Sequence, residues 1–111
     1  MQPESLKLLE DMRQAARDVA SMVAGKTIEQ YRADKQLRWA VERGFEIIGE
    51  ALTQLRKIDP VTAESISDWR SIIGFRNVLI HGYAVVDADK TWDIAVSELP
   101  TLVRELDAML L

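Results

Sequence analysis

A chain of 111 residues can fill one hydrophobic core but not two separate ones, and its 48% hydrophobic and 29% charged residues argue against both disorder and a membrane protein. The absence of cysteine excludes disulfides, thiolate zinc sites and cysteine nucleophiles; the single histidine excludes a two-histidine metal site within one chain. A net charge of -4 argues against a broadly cationic surface, so any nucleic-acid contact must be local, with Lys and Arg gathered at one cleft. No apolar run approaches the ~20 residues of a membrane span, and the amino terminus is Gln, Pro and Glu rather than basic and then apolar. The expectation is one domain over residues 1–111, cytoplasmic and not membrane-bound.

From Ser5 to Val23 the apolar residues Leu9, Met12, Ala16, Val19 and Val23 step by three and four, which predicts one face of a helix. Pro3 suits its start and Gly25 its stop. Thr27 to Gln30 has the form of a capping box, the mark of a short helical connector. Asp34 can cap a long second helix from Lys35 to about Lys57, with Leu37, Val41, Gly44, Ile48, Ala51 and Leu55 as its stripe. Gly44 and Gly49 lie inside it, each costing roughly 1 kcal/mol relative to Ala. Close approach of another helix, from this chain or a second copy, is the compensation to look for.

Asp59 and Pro60 read as cap and first residue of a short helix to about Ser65. Ser67 is the expected cap of a third long helix carrying Trp69, Ile72, Ile73, Phe75, Leu79 and Ile80 and ending near Gly82. Asp87 or Asp89 caps a fourth, with Trp92, Val96 and Leu99 inward; Pro100 forces a kink or restart at Ser97 to Glu98. Leu102, Val103, Leu106, Met109 and Leu110 complete the last helix. Only Ala84 to Val86 could be extended, so the fold class is all-α: an antiparallel bundle of four to five helices with short helical connectors.

The third helix contains Arg76-Asn77-Val78-Leu79-Ile80-His81-Gly82-Tyr83, with the chain's one histidine. Histidine exchanges protons near neutrality and arginine is shaped to grip phosphate, so the pair suggests phosphate chemistry. At 100° per residue Asn77 and His81 share a face, Arg76 and Tyr83 nearly align, and Arg76 lies about 140° from His81. A stop beside Gly82 leaves His81 in the last turn, where exposed carbonyls attract positive charge. Cutting RNA without metal needs a base, an acid and a cation, and one histidine cannot begin the reaction in both protonation states. A symmetric dimer would bring two copies of His81 and Arg76 to one groove.

Arg-x4-His-x-Tyr resembles the signature of HEPN-domain ribonucleases, and more narrowly of HepT-like toxins. Leu37 to Arg43 with Glu46 to Ala51 resembles that family's second helix, and Trp69 to Trp92 the block around its motif. The resemblance implies an HEPN-type bundle and a homodimer, open to higher assembly, with a shared groove. It further implies a metal-independent endoribonuclease that leaves 2′,3′-cyclic phosphate and 5′-hydroxyl ends. Its setting would be the toxin half of a type VII toxin-antitoxin pair whose partner is a minimal nucleotidyltransferase. Arg76 and His81 would be catalytic, Asn77 supporting, and Tyr83 the residue to which the partner attaches AMP. No cofactor or metal is implied.

Simpler readings stand beside these. Arg76 could pair with Glu46 or Glu50, which share one face of the second helix. The acidic run from Asp87 to Glu98 imitates a calcium loop in its ligands but has Trp92 where the turn needs glycine, so it reads as helix capping. Trp39, Trp69 and Trp92 are core or dimer contacts, with Trp39 a candidate for an exposed face. A second functional reading is a non-catalytic helical subunit that binds a nucleotidyltransferase or a nucleotide through the same Arg76 and His81.

Overall fold

The computed structural model describes residues 1–81 and 86–111. Helix α1 (Pro3–Val23) is followed by α2 (Ile28–Ala33), α3 (Lys35–Ile58), α4 (Pro60–Glu64), α5 (Trp69–His81), α6 (Ala88–Asp93), a π-helical turn (Ile94–Glu98) and α7 (Leu99–Met109). Among the described residues there is no strand, and no helix is long and apolar enough to cross a membrane. The all-α bundle expected from periodicity is what forms. The expectations for Gly82 and Tyr83, and for the extended piece at Ala84 to Val86 except its last residue, which is in no strand, lie outside the described residues.

Local chemistry sets the boundaries. Pro3 opens α1 and Gly25 follows it at φ +72°, a conformation glycine adopts without steric cost. Both halves of the capping box form: Gln30 N–H donates to Thr27 Oγ1 (3.2 Å) and Thr27 N–H to Gln30 Oε1 (2.8 Å). Asp34 accepts from Leu37 N–H at 3.0 Å and Asp59 from Thr62 N–H at 3.2 Å, as their positions predict. Ser67 behaves differently from the expected cap. Its hydroxyl donates to Glu105 Oε2 at 2.7 Å and its N–H to Glu105 Oε1 at 3.2 Å, so the side chain ties the start of α5 to α7.

Pro100 produces a π turn rather than a break. It has no N–H to give, and just upstream the ladder widens so that Leu99 N–H reaches back five residues to the Ile94 carbonyl. The fourth and last helices are thus one rod, α6 through α7. Val96, expected inward, is 41% exposed on that turn, while Ala95 and Leu99 are buried.

α1 and α3 run antiparallel at the centre and bury Leu9, Met12, Val19, Val41, Ile48, Leu52 and Leu55; each fully buried side chain of this size contributes about 1.5–3 kcal/mol. Gly44 explains their closeness, because a Cβ there would stand 2.3 Å from Val19 Cγ2. Ser5 donates to Asp59 Oδ2 at 3.1 Å, fastening the start of α1 to the far end of α3. α7 covers α1 with Leu102 and Leu106, and Arg17 reaches Asp107 at 2.8 Å. α5 lies antiparallel along the other flank of α3, its one extensive packing partner among the described residues. Trp92 packs on Tyr31 with ring centroids 5.4 Å apart, Trp69 is half-buried, and Trp39 is exposed.

Candidate functional site

Arg76 sits in the α3–α5 seam because Gly49 lets it. A Cβ at Gly49 would lie 2.2 Å from Arg76 Cβ and 2.7 Å from its Cγ, so only glycine leaves room for the root of this arginine. The compensation expected for Gly49 is therefore an approach within the chain. The Arg76 side chain is 22% exposed, and its Nη2 donates to Glu50 Oε2 in a close ion pair. Its Nη1 donates to Asn77 Oδ1 at 3.0 Å. Two of five guanidinium donors are thus committed to positioning, and the fork can still present others to a phosphate.

Glu50 is in turn held by Gln54, whose Nε2 donates to Oε1 at 3.1 Å. That amide first, then the Arg76 guanidinium, and then the charge of Lys57 hold the Glu50 carboxyl below its usual range. Glu46, the other partner considered for Arg76, bonds Arg43 at 3.1 Å instead. The glycine just before Glu50 is the signal that distinguishes the two, since it brings α5 to that turn of α3.

His81 is the last residue of α5 and is exposed, as is Asn77 one turn before it. Their row continues back through Gly74, seven residues from His81, with Val78, 47% exposed, beside it. Among the described residues a Cβ on Gly74 would meet nothing within 4 Å. Arg76 faces α3, and helix geometry sets the exposed His81 about 140° around the axis from it. Asn77 bridges the rows: it stands in the His81 row while its carbonyl oxygen accepts from Arg76. Gly74 was not among the residues singled out from sequence, although its spacing from His81 marks it. Tyr83 lies outside the described residues.

The arrangement can grip one anion through Arg76 and move protons at His81, two elements of phosphodiester chemistry. Comparison with known proteins agrees with that chemistry. The family described as "Ribonuclease HepT-like" matches residues 12–109. The chain is similar to "Putative RNase MJ1380" of Methanocaldococcus jannaschii, 32% identical over 89% of this chain and 90% of that protein. It is similar to "Putative RNase TTE0752" of Caldanaerobacter subterraneus, 32% identical over 92% and 90%. "Probable ribonuclease HepT" of Thermococcus cleftensis is 30% identical over 91% of each chain. No solved structure matches. A helical bundle with Arg76, Asn77 and His81 on one helix, matched over nearly its whole length, belongs to the HepT-like ribonuclease family.

Proposed function

We propose that this chain is a metal-independent endoribonuclease that works as a homodimer, the toxin half of a type VII toxin-antitoxin pair. The observation that carries the reading is the face of α5 holding Asn77 and His81. It includes a helix-interior glycine, Gly74, that no neighbour among the described residues explains, and an exposed Val78 beside it. Interior glycine costs about 1 kcal/mol against alanine and is retained where another backbone must come close. Two copies crossing at Gly74 about a twofold axis would bring two histidines to one groove, with Arg76 at its edges.

There one His81 accepts the 2′-hydroxyl proton while the other protonates the leaving 5′-oxygen. Each Arg76, fixed by Glu50 and Asn77, balances charge on the pentavalent phosphate. Proton transfer and preorganised charge are the two largest contributions such a site can make. Tyr83, by its place in Arg-x4-His-x-Tyr, is the residue a partner nucleotidyltransferase would load with AMP, placing a bulky anion where the substrate's phosphate must sit.

RNA incubated with the protein in excess chelator should yield cyclic-phosphate ends, and His81→Ala should lose them. The Glu50 carboxylate already opposite Arg76 favours a second reading, a subunit that binds a nucleotidyltransferase or nucleotide without cutting. Intact RNA together with undiminished partner binding would select it and reject the first.

A further inference from the structure

At the start of α5 two guanidiniums rest on one indole. The Arg56 guanidinium carbon lies 4.4 Å and that of Arg70 4.7 Å from the Trp69 ring centroid. Contact with the ring restrains two otherwise flexible cations, and a guanidinium on an aromatic face can still donate from its N–H edges to a phosphate. Among the described residues the ion-pair partner here is Glu64, 3.5 Å from Arg56, and both side chains are nearly half exposed. A competing anion readily displaces such a pair.

Arg56 and Glu64 also line a cleft of about 230 Å³ with Lys57, Thr53, Pro60 and Ile73. The charge of Lys57 also helps to lower the pKa of Glu50, the partner of Arg76. Asp68 is turned to the other flank of α5, where it lines a cleft with Phe45 and Ile94. Arg56, Lys57 and Arg70 therefore come together near this junction, where Glu64 is the one carboxylate in an ion pair with them among the described residues. Trp69 precedes Arg76 by seven residues, two turns in the same row, or about 10 Å along the helix. A strand whose phosphate sits at Arg76 would bring a neighbouring phosphate to this stack.

We infer that the junction of α3, α4 and α5 around Trp69 is a second phosphate subsite, where Arg56, Lys57 and Arg70 hold the RNA backbone beside the phosphate gripped by Arg76. The inference rests on the ribonuclease reading. Because the indole carries guanidiniums, the subsite grips backbone and reads no base.

The test measures binding of a fluorescein-labelled single-stranded oligoribonucleotide to His81→Ala protein across potassium chloride concentrations, so that binding is read without turnover. Adding Arg56→Gln and Arg70→Gln should weaken binding roughly ten-fold and reduce the slope of log affinity against log salt by about 1.4, two phosphate contacts at ~0.7 each. Lys57→Gln, on an exposed residue outside the stack, should reduce it by about 0.7 and guards against loss of packing in the double variant. Unchanged slopes in both variants, with RNA cut by the unsubstituted protein, would overturn the subsite alone and leave the stack a clamp between α3 and α5. Slopes reduced as expected, with no cleavage by the unsubstituted protein, would overturn the ribonuclease reading and keep an RNA-binding track.

Discussion

Replacing Gly49 with alanine separates what holds the fold from what holds the site. The new Cβ would start 2.2 Å from Arg76 Cβ, and ordinary contact begins at 3.4 Å, so the α3–α5 seam must open by about 1 Å. No rotamer change relieves this, because the position of Arg76 Cβ is set by its backbone. Alanine gains about 1 kcal/mol in helix propensity, and forced overpacking costs about 1–3 kcal/mol. With backbone displaced the cost falls at the upper end, for a net loss of about 1–2 kcal/mol. In a domain of this size that lowers Tm by roughly 5–10 °C, read by far-ultraviolet circular dichroism. Cleavage should fall further than stability does, because moving a positioned charge by about 1 Å costs on the order of 10²-fold. A variant that melts at or above the parent temperature would refute the close packing of α5 on α3.

Gly74→Ala should act with the opposite sign on the isolated chain, stabilising it by about 1 kcal/mol since its Cβ meets nothing among the described residues, while weakening self-association measured by sedimentation. A dimer as tight as the parent's would move the crossing point away from Gly74. Glu50→Gln should be less stable than the parent near neutrality. The folded carboxyl lies below its usual range, so its stabilisation is complete above the unfolded value of about 4.3 and lost as pH falls through the folded one. Denaturant titrations should show the gap between the two proteins closing on acidification; a constant gap would mean that the carboxylate charge is not what Arg76 needs. Tyr31 is fully buried, its hydroxyl has no partner among the described residues, and burial pushes its pKa up to about 12. Tyr31→Phe should therefore raise unfolding free energy by about 1 kcal/mol, and a loss would reveal a hydrogen bond to that hydroxyl.

Much of this architecture is written in short-range chemistry, which is why the sequence reads well at helix starts. Thr27, Asp34, Asp59 and Asp87 cap as their positions dictate, each acting on a backbone N–H two or three residues away. Ser67 was misread for the complementary reason: Glu105, thirty-eight positions on, takes its hydroxyl, and no local pattern announces that. Val96 points outward because the π turn alters the phase that a uniform 100° step assumes. In the site, the angle between Arg76 and His81 was fixed by helix geometry, but the choice of Glu50 over Glu46 needed the height at which α5 docks. Gly49 sets that height, and the effect of a glycine depends on what approaches it.

α5 has a different standing in the bundle from α1 and α3. Those two are enclosed by neighbours, whereas among the described residues α5 packs extensively on α3 alone, with Ser67 tying its start to α7. Its amide protons should be among the first to exchange with deuterated solvent, through partial openings that leave the central pair intact. Association across the Gly74 face would shield the uncovered flank, so protection of α5 should rise with protein concentration while that of α1 and α3 holds steady. The helix bearing the chemistry would then reach full rigidity only in company.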